Sequence, residues 1–198
     1  MIKVRLNNKW GYIDLSGNEE IPMISDEVFD FSEGLSGVKL NGKWGFIDKS
    51  GEEVIPLIYN RLSTGSFNEG LTGVRLNGRW SFIDKSGVVI IPLEYDEVGN
   101  FNEDLAWVRF NKEFGFIDKS GVEIVPLKYD SAGNFNEGFA WVKLNGKFGF
   151  IDKSGVEIIP IIYDSVSGSF TNGIIKVKQN EKWFSINTKG ECVSGNCP

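Results

Sequence analysis

The chain has 198 residues, 41% of them apolar and 13% aromatic, enough for one ordinary domain or one repeat array with a buried core. A net charge of −6 and a pI near 4.9 argue against a general binder of nucleic acid or acidic membrane, because phosphate recognition needs a basic surface. Histidine is absent, which removes the commonest general base and metal ligand, and no run of about 18 apolar residues offers a membrane span.

Met1 to Arg5 runs directly into an alternating segment, so no signal peptide is expected in this chain. Val4 and Leu6 begin one apolar face, which continues in later copies as Val38/Leu40, Val74/Leu76, Val108/Phe110 and Val142/Leu144. Arg5, Lys39, Arg75, Arg109, Lys143 and Lys178 form the opposite, charged face. This period of two marks a half-buried strand, here strand a. Next comes a two-residue turn of the Asn-Gly type, such as Asn41-Gly42 or Asn145-Gly146, where both central positions need positive φ. Strand b follows, as in Phe148-Gly149-Phe150-Ile151, apolar on both faces and therefore buried on both. Its small residue (Gly11, Gly45, Ser81, Gly115, Gly149) permits close approach by a neighbouring backbone or ring. An Asp-x-Ser-Gly turn leads to strand c, for example Glu157-Ile158-Ile159-Pro160, and a longer connection of the type Tyr129-Asp130 through Phe135-Asn136-Glu137-Gly138 completes the unit.

The unit recurs. Trp10, Trp44, Trp80, Phe114, Phe148 and Trp183 are spaced by 34, 36, 34, 34 and 35 residues, and Pro22, Pro56, Pro92, Pro126 and Pro160 keep the same beat. No helical stripe competes with the β signals. The expected fold is therefore all-β: a tandem array of three-stranded units in a single domain over residues 1–190. It comprises five full copies and a C-terminal half-copy, followed by a tail over 191–198. An open solenoid is favoured because both termini bring the same a–b hairpin and neither brings a spare strand c. A closed propeller-like ring is the alternative.

The run Asn41-Gly42-Lys43-Trp44-Gly45-Phe46-Ile47-Asp48-Lys49-Ser50-Gly51, followed by Val54-Ile55-Pro56, resembles the bacterial WG (or KWG) repeat family. The likeness extends from Val4 to Gly190, with Phe for Trp in copies four and five and Ser81 for Gly in copy three. It implies a repeat module, often on extracytoplasmic proteins, and supplies no catalytic residues. The same hairpin is more loosely similar to choline-holding cell-wall-binding repeats, whose period is near 20. The compartment follows from neither: cell surface by resemblance, cytoplasm otherwise.

Positions alike in every copy are expected to be architectural. The Asp14, Asp48, Asp84, Asp118 and Asp152 series reads as turn chemistry. The Glu33, Glu69, Glu103 and Glu137 series reads as structural pairing with the Lys/Arg ladder, since one carboxylate per copy does not assemble a calcium site. Tyr59, Tyr95, Tyr129 and Tyr163 are expected to plug the joins between units. The informative column lies where copies differ: Lys3, Gly37, Gly73, Trp107, Trp141, Lys176. Trp107 and Trp141, flanked by Arg109 and Lys143, have two readings: an aromatic shelf for a sugar, peptide or cationic group, or space-filling against the next unit. Cys192 and Cys197 enclose four residues and permit a small disulfide loop in an oxidising compartment. No nucleotide, hydrolase or metal motif is present, so no enzyme activity, cofactor or metal is expected. The functional expectation is a non-catalytic module presenting a β surface to a protein, peptide or glycan. A structural spacer is the alternative, and a glycan-acting enzyme a distant third.

Overall fold

The computed structural model describes residues 1–195, all strand, turn and loop, with no helix among them. It divides into two compact units, Met1–Asn100 and Phe101–Pro198. The sequence suggested one domain over residues 1–190. A repeat makes its core with its sequence neighbours, however, so an array has no single centre that ties all copies together.

In the first unit, copy one is a three-stranded antiparallel sheet of β1 (Ile2–Leu6), β2 (Lys9–Ile13) and β3 (Glu19–Ser25). Copy two has four strands: β4 (Glu27–Val28), β5 (Ser36–Leu40), β6 (Lys43–Ile47) and β7 (Glu53–Tyr59), in that order. Copy three repeats it with β8 (Arg61–Leu62), β9 (Leu71–Leu76), β10 (Arg79–Asp84) and β11 (Val89–Tyr95), and β12 (Glu97–Val98) ends the unit. In the second unit, copy four pairs β13 (Leu105–Phe110), β14 (Glu113–Asp118) and β15 (Glu123–Tyr129). Copy five has β16 (Ser131–Ala132), β17 (Phe139–Leu144), β18 (Lys147–Asp152) and β19 (Glu157–Tyr163). Copy six has β20 (Ser165–Val166), β21 (Ile174–Gln179), β22 (Lys182–Asn187) and β23 (Cys192–Gly195).

Two expectations are corrected. The sheets are not limited to three strands, because the start of each connection adds a two-residue strand beside strand a, too short to register as a periodic pattern. The sixth copy is not a half-copy: Cys192–Gly195, assigned to the tail, pairs with β22 as a strand c of its own. It lacks the proline that marks strand c elsewhere and keeps a single branched aliphatic, Val193.

The turns follow the expected chemistry. Asn41-Gly42 and Asn145-Gly146 both take positive φ. In the second turn the Asp48 carboxylate accepts the backbone N–H groups of Ser50 and Glu52 and the Ser50 hydroxyl, and Asp84, Asp118 and Asp152 do the same in their copies. Copy six substitutes Asn187, which keeps the two backbone acceptances without the charge. The small residue of strand b faces strand c of its own copy, not a neighbouring unit. A Cβ at Gly45 would lie 2.5 Å from the Ile55 carbonyl oxygen, where strand c bulges around Pro56.

Core lies between successive copies. Four of the strands b send an aromatic onto the phenylalanine of the following connection: Tyr12 on Phe31, Phe46 on Phe67, Phe116 on Phe135 and Phe150 on Phe170, with centroids 4.8–4.9 Å apart. Buried Tyr59, Tyr129 and Tyr163 join these clusters, as expected of plugs.

Candidate functional site

The Phe-x-Glu-Gly segment is a tight turn of its own. Ser32 and Leu35 exchange backbone hydrogen bonds, and the intervening Glu33 and Gly34 both have positive φ. Glu69, Glu103 and Glu137 share this left-handed geometry, which costs a residue with a Cβ some backbone energy. The offset comes from the next copy. Glu33 accepts the Gly70 N–H and pairs with Lys85; Glu103 accepts the Gly138 N–H and pairs with Lys153. Glu137 accepts the N–H groups of Asn172 and Gly173. The carboxylates are therefore structural, but the lysine they use sits in the following turn and not in the strand-a ladder. In copy six the position becomes Asn172, an easier left-handed residue.

The strand-a cations stay within their copies. Arg5 lies over Trp10 at 5.7 Å, Lys39 over Trp44 at 5.5 Å, Arg109 over Phe114 at 5.9 Å and Lys143 over Phe148 at 5.1 Å. Trp107 meets Phe114 with centroids 5.4 Å apart, and Trp141 meets Phe148 at 5.7 Å. Both tryptophans are half-buried, and they pack against separate clusters. The four nominated residues thus form two like groups, Trp107–Arg109–Phe114 and Trp141–Lys143–Phe148.

What the tryptophans do is visible by comparing copies. In copy five Gly133 lies opposite Trp141, and a Cβ there would fall 2.0 Å from the indole Nε1. In copy two the same two positions are exchanged in size: Phe29 lies opposite Gly37 and packs on Trp44 at 5.1 Å. One seat above the strand-b aromatic is filled from strand a in one copy and from the edge strand's end in another. The signal was in the sequence as the pairs Phe29/Gly37 and Gly133/Trp141, but reading it required the pairing of the edge strand. Cys192 lies on β23 against the core of copy six, and Cys197 lies outside the described residues.

Among the described residues no group of acidic, histidine or cysteine side chains has the closeness of a metal site, and no helix is long and apolar enough to cross a membrane. The aspartates Asp48, Asp84, Asp118 and Asp152 are held below the ordinary carboxylate range, first by the serine hydroxyl each accepts and then by backbone N–H groups. Burial pushes the Tyr59 and Tyr163 phenols up.

The repeated surface that remains unused inside the fold is strand c. It is the sheet edge in copies two, three and five. Val54, Ile90, Ile124 and Ile158 occupy one position of it and are 36–40% exposed, and Val88, Val122 and Val156 beside them are about 55% exposed. In the sequence these residues mark only strand c.

A family model described as WG containing repeat matches residues 10–44, 44–80, 80–113, 114–148 and 148–183. Comparison with curated proteins found no sequence match. Among solved structures, a eukaryotic initiation factor is similar with a TM-score of 0.63 at 12% identity, over 97% of this chain and 61% of that one. Hsv2 from Kluyveromyces lactis has a TM-score of 0.52 at 8% identity, over 83% and 60%. Hsv2 from a second Kluyveromyces species, marxianus, has a TM-score of 0.52 at 7% identity, over 83% and 62%. The chain spans about three fifths of each of these structures, and at such identities the likeness concerns the fold alone.

Proposed function

The chain belongs to the family of WG-containing repeat proteins, and we propose that it works as a non-catalytic interaction module whose outward strand c edges contact a protein or peptide. The observation that carries this reading is the row of exposed branched aliphatics at one position of strand c in four copies. A scaffold position that faces water in every copy would ordinarily be polar, and exposed apolar patches mark contact surfaces. The proline at the middle of strand c blocks open-ended strand pairing while leaving side chains available. A non-catalytic role is supported by the carboxylates: those with a lowered pKa are turn acceptors or lysine partners held ionised, the opposite of a general acid. The test is a peptide and glycan array probed with the chain and with an Ile124→Lys/Ile158→Lys variant. Binding to peptides that the variant loses, at unchanged melting temperature, is the expected result. Binding to neither array, or a variant that binds equally well, contradicts it.

The open arrangement favoured by the sequence is part of the proposal. Ile174 is 46% exposed, whereas its counterparts Leu35 and Leu105 are 7% and 6% exposed. Ser185 and Ser194 pair where Phe150 and Ile159 pair in copy five, giving copy six a more polar outer face around a hollow of about 270 Å³. Both features set copy six apart from the copies before it. The ring is the competing arrangement, since the fold's structural neighbours include propeller-like ones. Small-angle scattering distinguishes an elongated particle from a compact one.

A further inference from the structure

We propose that Asn77 is the site of a spontaneous covalent modification, in which its side-chain amide becomes a carboxylate through a cyclic imide with the Gly78 nitrogen. This goes beyond the reading of the chain as an interaction module and does not depend on it.

The step uses only the chain and water. The Gly78 backbone nitrogen gives up its hydrogen and attacks Cγ of Asn77. A C–N bond forms, the Cγ–Nδ2 bond breaks, and Nδ2 leaves with the proton as ammonia. Water then opens the five-membered imide at either carbonyl, giving aspartate or its β-linked isomer, with nothing oxidised or reduced. A following glycine favours the reaction, because no Cβ crowds the attacking nitrogen.

Four Asn-Gly pairs occur: Asn41-Gly42, Asn77-Gly78, Asn145-Gly146 and Asn172-Gly173. The first three sit in a–b hairpins and share a preceding leucine and a following lysine or arginine, so their sequence does not separate them. What faces the glycine nitrogen does. The Asp130 carboxylate accepts the Gly146 N–H at 3.3 Å, and Glu137 accepts the Gly173 N–H at 2.7 Å. Asp26, held ionised first by Lys9, also faces the N–H groups of Asn41 and Gly42. An anionic acceptor holds the hydrogen that must leave and repels the charge that develops on nitrogen.

Copy three has Asn60 at this point. Its backbone N–H bonds the Arg75 carbonyl as those of Asp26 and Asp130 bond Lys39 and Lys143. Its side chain is neutral, however, and accepts the Asn77 N–H at 3.3 Å. Among the described residues nothing accepts the Gly78 N–H. Arg75 adds a cation, donating through Nε and Nη2 to the Gly78 carbonyl at 3.3 Å, whereas Lys39 turns to Glu27 and Lys143 to the Phe148 ring. A positive group beside the turn favours the negative charge of the attack. Asn77 and Gly78 are both exposed, so water reaches the imide.

The test is incubation of the whole chain in mildly alkaline buffer, with peptide mapping by mass spectrometry to follow amide-to-acid conversion at each pair. Asn77 is expected to convert about tenfold or more ahead of Asn41 and Asn145, the factor in rate that one hydrogen bond to a charged group supplies. Asn60→Asp restores the carboxylate and is expected to slow Asn77 to the pace of the other hairpins. Asp130→Asn removes one and is expected to speed Asn145 alone. In denaturant the three hairpin sites are expected to react at matching rates. Conversion of Asn41 or Asn145 as fast as Asn77 in the folded chain, no conversion at any pair, an Asn60→Asp variant that converts at the parental rate, or the same ranking persisting in denaturant would overturn the proposal.

Discussion

Ser81 occupies the strand-b position that is Gly11, Gly45, Gly115 and Gly149 in other copies, and its buried hydroxyl has no hydrogen-bond partner among the described residues. An unsatisfied buried hydroxyl costs about 1–3 kcal/mol, and glycine in a strand costs about 0.5–1 kcal/mol in chain entropy. Ser81→Gly is therefore expected to stabilise the chain by about 1 kcal/mol, read as a rise in the denaturation midpoint. The reverse change, Gly45→Ala, drives a Cβ to 2.5 Å from the Ile55 carbonyl oxygen and is expected to destabilise by about 1–3 kcal/mol. The contrast tests whether the small residue serves the bulge inside each sheet.

The second turn and the Phe-x-Glu-Gly turn are the elements on which order within and between copies depends. Asp118 is held ionised in the folded state, its acidity shifted below the ordinary range by the Ser120 hydroxyl and then by backbone N–H groups. A lowered folded value contributes stability above the unfolded value, and that contribution is lost as pH falls through the folded one. Acid unfolding should therefore set in below roughly pH 4, and Asp118→Asn should flatten that limb while keeping the turn at neutral pH, as Asn187 does naturally. A pH series of denaturant midpoints checks both arms. In the other turn, Glu103 bears a left-handed backbone in exchange for the Gly138 N–H and Lys153. Glu103→Ala keeps the backbone cost and removes the return, so a loss of about 1 kcal/mol is expected, softened by partial exposure. Hydrogen exchange should localise that loss to copies four and five.

Across the whole molecule, the 34-residue beat and its all-β character were legible because tryptophan, proline, Asn-Gly and Asp-x-Ser-Gly each mark a turn or a strand end. The edge strands were not legible: two residues such as Glu27–Val28 have no period, and their pairing depends on where the connection returns. The sixth strand c was hidden because Cys192–Gly195 shares no residue type with Glu157–Ile161. For the same reason the tryptophan column looked functional. Trp141 differs from Gly37 because Gly133 differs from Phe29, a compensation that only the ladder reveals. The varied tryptophans thus serve packing, and the repeated aliphatics of strand c are the proposed binding surface. Trp141→Ala and Ile124→Lys/Ile158→Lys, each measured for thermal stability and for binding to the array-selected peptide, separate the two assignments most directly. Trp141→Ala is expected to lose about 2–4 kcal/mol of stability with binding retained by the folded fraction, while the isoleucine variant keeps its stability and loses binding. The reverse pattern, a stable Trp141→Ala that no longer binds beside an isoleucine variant that does, would contradict both assignments.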